Sequence, residues 1–299
     1  MSFASASDGS AAPPHVRGTV LTSARMSVND YPPRIQQLQN VSGFFGMSYG
    51  YMAVGPNSTF AGLVYKWFAS NPSAPRVLGF DFVRGLDTGE EGVRAVAAHG
   101  NSTLQIGGLL PDYEQSVVWS EVSALSPPLS YTRPIFNMAM CGVSVFANYS
   151  SNWPALVDTG AVCLSLPREF YDAVMAWLPA RCDGPAKING RCLVGTSAEH
   201  ASSLDTKKLP HLTFQLAETG GLVAIPIGEL IVGSGAERTY CILPSSGSVS
   251  TTRVSMDTSR SRIVFGSLVV ASMYTAVNLE SGRMGCVDGL CVCHRRGGR

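Results

Sequence analysis

Asp-Thr-Gly occurs twice, at Asp87–Gly89 within FVRGLDTGEEG and at Asp158–Gly160 within WPALVDTGAVCLSLP. An aspartate on a tight turn can do acid–base chemistry when a second carboxylate shares its site. Two such groups cannot both ionise easily, so one pKa falls, the other rises, and one proton is held between them. The ionised member then takes a proton from a water held between the pair, and the protonated member donates to a carbonyl oxygen. That chemistry needs no metal, no cofactor and no covalent intermediate. A lone exposed carboxylate is a weak base at neutral pH.

Context separates the two copies. An aspartate with this role belongs on a tight loop at the end of a buried strand, with a second strand returning to the core. Asp158 follows the apolar run PALV and precedes AVCLSLP, so it meets that requirement, with Thr159 and Gly160 as supporting motif residues. Asp87 is followed by Glu90 and Glu91 in a charged stretch between two expected strands. Asp-x-Gly there is ordinary hairpin chemistry. The copies are also too near in the chain for each to serve one of two lobes of ordinary domain size.

Other chemistries lack their residues. His15, His99, His200, His211 and His294 show no metal-ligand spacing, and the CVCH run at Cys291–His294 has no partner ligands nearby, so no metal is expected. Cys163, close behind the second motif, reads as a buried structural thiol. Neither Gly-Lys-Ser/Thr nor Gly-x-Ser-x-Gly occurs.

The elements that must position Asp158 are mostly strands. Apolar residues make up 45% of the 299 and charged ones 14%, which is a globular balance. The 31 glycines and 18 prolines punctuate it with turns. Short strands are expected in RGTVLTSARMSV (Arg17–Val28), SGFFGMSYG, RVLGFDFVRG, STLQIGGLL, QSVVWSEVSAL, FNMAMCGVSVFA, PALVDTG, VCLSLP, HLTFQLA, GLVAIPI, ELIVG, RTYCILP, RIVFGSLVV and YTAVNLE. Phe60, Leu63, Val64, Trp67 and Phe68 fall at helical spacing. So do Phe170, Val174, Trp177 and Leu178, in a helix opened by Pro167. Ser126–Pro134 is proline-rich and reads as a linker.

With net charge +1 and no basic stripe, nothing points to nucleic acid or an anionic membrane. The most apolar run, Ile263–Val277, is too short and interrupted to span a bilayer and reads as a buried strand pair. Eight cysteines and four Asn-x-Ser/Thr sequons, at Asn40, Asn57, Asn101 and Asn148, favour the secretory pathway, with an extracellular or lysosome- or vacuole-like destination. The first residues show no signal peptide, an apparent conflict that a start upstream of Met1 would resolve.

From about Val41 to Gly289 the chain resembles the pepsin-like aspartic proteases, in the order of its segments as well as their kind. SGFFGMSYG is similar to an apolar-apolar-Gly segment of that family's N-terminal lobe, and TFAGLVYKWFAS to the helix after it. STLQIGGLLPDYEQSVVWSEV is similar to its Gly-Gly hairpin, and ALVDTGAVCLSLP to its second active-site motif. LPHLTFQL and TYCILP match later strands, and IVFGSLVVASMYTAVNLESGRMGCVDG the closing block.

The resemblance implies a mainly β, bilobal fold with an incomplete N-terminal lobe and a complete C-terminal lobe. Residues 1–40 are then a poorly determined segment, 41–125 a remnant of the first lobe, 126–134 the interlobe linker, 135–290 the second lobe and 291–299 a tail. It implies an aspartic endopeptidase acting on peptide or protein substrates, with Asp158 as the second catalytic aspartate and the first absent from this chain. A missing N-terminal segment is thus expected. It also implies a disulfide between Cys192 and Cys241. Ala161 stands where the family usually has a hydroxyl residue. That departure and the single qualifying aspartate leave an alternative open, a catalytically inactive pepsin-like protein that binds peptides or proteins.

Overall fold

The computed structural model describes residues 63–82, 86–87, 94–95, 102–122, 131–183, 187–188, 190–245 and 262–288. The chain divides into two compact units, 1–74 and 75–299. The described part of the first contains helix α1 (Leu63–Ser70), with Val64 and Phe68 buried one turn apart. Asn71 ends it: its backbone N–H reaches the Phe68 carbonyl and its Nδ2 donates to the Trp67 carbonyl at 2.8 Å. This helix agrees with the periodicity. The strands expected in RGTVLTSARMSV and SGFFGMSYG lie outside the described residues.

The second unit is mainly β. In chain order its strands begin with β1 (Val77–Asp81), β2 (Leu86–Asp87), β3 (Arg94–Ala95), β4 (Thr103–Ile106), β5 (Val118–Trp119), β6 (Thr132–Met140), β7 (Val143–Ser144), β8 (Asn152–Val157) and β9 (Leu164–Leu166). Helix α2 (Arg168–Met175) precedes β10 (Ala180–Arg181), β11 (Lys187–Ile188) and β12 (Arg191–Val194). Helix α3 (Ala198–Ser203) leads to β13 (His211–Gln215), β14 (Leu222–Pro226), β15 (Ile231–Val232), β16 (Thr239–Tyr240), β17 (Ile242–Pro244) and β18 (Ile263–Phe265). Helix α4 (Ser267–Ala271) and strands β19 (Met273–Asn278) and β20 (Met284–Asp288) follow.

Among the described residues, three sheets of five or more strands carry the unit, beside a two-stranded ribbon of β2 and β3. The largest runs β14-β13-β6-β8-β18-β9-β17, with β7 on β6. A second runs β10-β12-β16-β15, with β11 on β12. The third, β4-β1-β19-β20-β5, joins strands before residue 120 to the strands that follow α4. Strand β1 pairs directly with β19, and β5 with β20.

The largest sheet buries alternate residues, as its sequence pattern requires. Leu212 and Phe214 of β13 are buried between half-buried neighbours, and Trp153 and Ala155 do the same in β8. Helix α2 closes one side. Pro167 stands at its N-cap, and Phe170, fully buried, gathers Phe146 and Trp153 with ring centroids 5.0 and 5.1 Å away. Pairs in such geometry add roughly 0.5–1.5 kcal/mol beyond the area they bury.

Three expectations are corrected. Helix α2 stops at Met175, so Trp177 lies beyond it and is 45% exposed, while Tyr171 and Met175 take the buried face with Phe170 and Val174. The run Ile263–Val277 is strand, helix and strand: Leu268, Val269 and Val270 of α4 are buried all round, and an apolar run without period cannot distinguish a helix from a strand. The segment 126–134, read as linker, is strand from Thr132 on, where Thr132, Arg133 and Pro134 pair with Leu156, Ala155 and Pro154. Among the described residues no helix is long and apolar enough to cross a membrane.

Candidate active site

Strand β8 carries Asp158 at its C-terminal end. It runs parallel to β18, and β18 in turn lies antiparallel to β9, so a strand from about a hundred residues later separates two strands joined by one short loop. The Asp158 N–H donates to the Phe265 carbonyl at 3.0 Å and extends the parallel ladder by one bond. Beyond it the chain turns tightly. Gly160 N–H donates to Asp158 Oδ1 at 2.9 Å, and Ala161 N–H to the Asp158 carbonyl at 3.1 Å. An aspartate bonded to its own backbone two residues on is a stable turn in its own right.

The far half of the loop is pinned from beneath. Ser267 N–H donates to the Ala161 carbonyl at 2.8 Å and Leu268 N–H to the Val162 carbonyl at 3.2 Å. These are first-turn N–H groups of α4, which have no partner inside the helix. Gly266 makes the approach possible. A Cβ there would meet the backbone of Val162 and Cys163 at under 3.0 Å, closer than real Cβ atoms come. Gly266 is the glycine of IVFG at the start of the closing block.

A covalent tie holds the end of the loop. Cys163 bonds to Cys241, and Leu164 N–H donates to the Cys241 carbonyl at 3.0 Å. The expected Cys192–Cys241 bond is not formed: Cys192 pairs with Cys182 instead. Register is the reason. Strands β9 and β17 run parallel with Leu164 opposite Ile242, which brings the residues before them to a Cα–Cα distance of 4.7 Å. Strands β10 and β12 pair Arg181 with Leu193, which brings Cys182 and Cys192 to 4.5 Å. Cys163 is accordingly not a free structural thiol.

The result is an exposed carboxylate on a fixed loop. Asp158, Thr159 and Gly160 are exposed and Ala161 is half-buried. One carboxylate oxygen is held by Gly160, and no described residue bonds the other. A carboxylate so oriented can accept a proton from water or a hydrogen bond from a ligand. Asp87 is not in this sheet. It ends β2 of a separate two-stranded ribbon, opposite Arg94, and Thr88 and Gly89 lie outside the described residues.

Several other polar groups among the described residues support the fold. Ser197 caps α3 by accepting the His200 N–H at 3.1 Å, and the His200 ring contacts Thr196 Oγ1 at 2.9 Å. The Arg238 guanidinium reaches the carbonyls of Ala201 and Leu204 at the other end of that helix. Tyr171 Oη lies 3.0 Å from Cys192 Sγ and must be the donor, since a disulfide sulfur carries no proton. Burial pushes the Tyr171, Tyr240 and Tyr274 hydroxyls upward, and pushes the Cys286 thiol up to about 12 against a smaller opposing pull from Thr275. Among the described residues no group of three or more His, Cys, Asp or Glu could hold a metal ion. His15, His99, His294 and the CVCH run lie outside them. No family model matches the chain, and no curated protein matches it in sequence.

Proposed function

We propose that Asp158 is one of two catalytic aspartates of a pepsin-like aspartic endopeptidase acting on peptides or proteins. In this reading the C-terminal lobe runs from β6 to residue 290 and 41–125 are part of the N-terminal one, joined by the residues ahead of Thr132. The carrying observation is the Asp158 loop: an exposed carboxylate at the end of a parallel strand pair, on a turn tied by Gly160, α4 and the Cys163–Cys241 bond. A general base must not wander, and each of those ties limits one direction of movement. The other aspartate is not among this chain's motifs and would have to be supplied from outside it. With the pair assembled, one member takes a proton from water as its oxygen bonds to the peptide carbon, and the other protonates the carbonyl oxygen. The C–N bond then breaks and the amine leaves with a proton. The two disulfides fit an oxidising compartment, in keeping with a secretory, extracellular or lysosome- or vacuole-like location.

A second reading is a catalytically inactive pepsin-like protein that binds peptides. Ala161 favours it. Its backbone is committed to the Asp158 carbonyl and to Ser267, and its methyl group offers nothing to the carboxylate.

The test measures turnover and binding together. The purified full chain is assayed from pH 3 to 7 on an unfolded protein. It is also titrated with a peptide carrying a secondary hydroxyl in place of the scissile carbonyl, beside Asp158→Asn. With Asp158 alone, no turnover is expected, because one carboxylate cannot serve as both base and acid. The hydroxyl peptide should bind at least ~10-fold more weakly to Asp158→Asn, the size of one charge-assisted hydrogen bond. Equal binding by both proteins would remove Asp158 from the site and refute the endopeptidase reading.

A further inference from the structure

Asn148, Tyr149 and Ser150 form one of the four sequons, and we propose that the Asn148 side chain is a site of N-linked glycosylation. The reasoning rests on the secretory reading but not on the protease one. Asn40, Asn57 and Asn101 lie outside the described residues, whereas Asn148 is placed and exposed. A glycan is bulky and is accommodated only where its asparagine stays at the surface after folding.

The loop that presents Asn148 joins β7 to β8 and is anchored on both sides of it. Phe146 is 1% exposed and packs on Phe170. The Tyr149 ring meets the same Phe170 edge-on at 6.1 Å. Tyr149 N–H donates to the Phe146 carbonyl at 3.0 Å, and Ala147, at φ 47°, turns the chain outward with its N–H on Ser144 Oγ. Ser150 Oγ accepts the N–H of Asn152, the first residue of β8, at 3.2 Å, so the third sequon residue is tied to the strand. Anchors to either side leave the asparagine at the crest of the turn.

Two further observations bear on the same point. Both disulfides belong to this unit, and bonds of that kind form in the compartment where N-glycosylation takes place. Asn148 also precedes β8 while Asp158 follows it, and a strand of six residues spans roughly 20 Å. A glycan would stand at the opposite end of the strand from the candidate carboxylate.

The donor is a lipid-diphosphate-linked oligosaccharide. The Asn148 amide nitrogen bonds to C1 of the reducing-end sugar and gives up one proton. The C1–O bond to phosphate breaks, and the lipid diphosphate departs with the electron pair.

The test secretes the full chain from cultured animal cells behind a cleavable leader. Glycans are released by an amidase in heavy-oxygen water, which converts each modified asparagine to labelled aspartate, and disulfides are mapped on the same sample. The peptide bearing Asn148 should carry the label. Asn148→Gln and Ser150→Ala should each lose one glycan step on a gel, and Asn148→Gln should bind the hydroxyl peptide as before. An unlabelled Asn148 in secreted protein whose Cys163–Cys241 and Cys182–Cys192 bonds are intact would overturn the proposal alone. An unlabelled Asn148 with those four thiols free would overturn the secretory reading along with it.

Discussion

Two cysteines remain free among the described residues, and their surroundings set them apart. Cys141 is exposed on the turn after β6, and Cys286 is buried within β20 beside Thr275. Only the thiolate is nucleophilic, and burial without a counter-charge keeps the Cys286 proton on. Cys141 should therefore react with a maleimide at pH 8 within minutes, while Cys286 should wait for unfolding. Mass spectrometry of the labelled peptides decides this, and equal labelling of both would mean β20 opens readily. The sign of the pH effect follows. The folded state holds the Cys286 proton more tightly than the unfolded chain, so its contribution to stability is complete at neutral pH. It is lost as pH climbs from the ordinary thiol range through about 12. At this scale the strand, turn and returning strand around Asp158 were legible, because apolar residues stand before the turn and after it. It could not show the partner of Cys163, since a disulfide is decided by strand register.

Among the elements, the contact between α4 and the Asp158 loop leaves no room for a side chain at Gly266. Gly266 has an extended backbone at φ −74°, so nothing in its dihedrals demands glycine; space does. Gly266→Ala should push the backbone of Val162 and Cys163 away and lower stability by about 1–3 kcal/mol, the usual cost of overpacking. Denaturant unfolding checks the magnitude, and an unchanged midpoint would show that the loop yields freely. Here legibility varied with length. Strands with alternating burial, such as β13, stood out. Strands of two residues, such as β10 and β11, have no period to detect. Helix α3, sequence AEHASS, has one buried residue and no apolar face; only its capping Ser197 could have marked it.

The unit as a whole is cross-linked at two very different ranges. Cys163 and Cys241 are 78 residues apart, Cys182 and Cys192 only 10. In the chain-entropy account the longer closure stabilises by roughly 4 kcal/mol and the shorter by roughly 3. Replacing Cys163 and Cys241 together by serine should therefore lower the thermal midpoint more than replacing Cys182 and Cys192. The reverse order would indicate that residual structure in the unfolded chain, not loop length, governs both. The β class was legible from glycine, proline and short apolar runs. The joining of β1 and β4 to β19 and β20 was not, because pairing between distant strands leaves no local mark.

The insertion of β18 between β8 and β9 also sets an order of events during synthesis. The ribosome makes Asp158 and both flanking strands about a hundred residues before it makes the strand that separates them, a delay of roughly 5–20 seconds at ordinary elongation rates. In that interval β8 can pair with β6, but its other edge waits and β9 has no neighbour. Pairing β8 directly with β9 as a hairpin is the local competitor, and it closes in microseconds. The nascent chain must therefore undo or avoid that shortcut before β18 can take its place between the two strands.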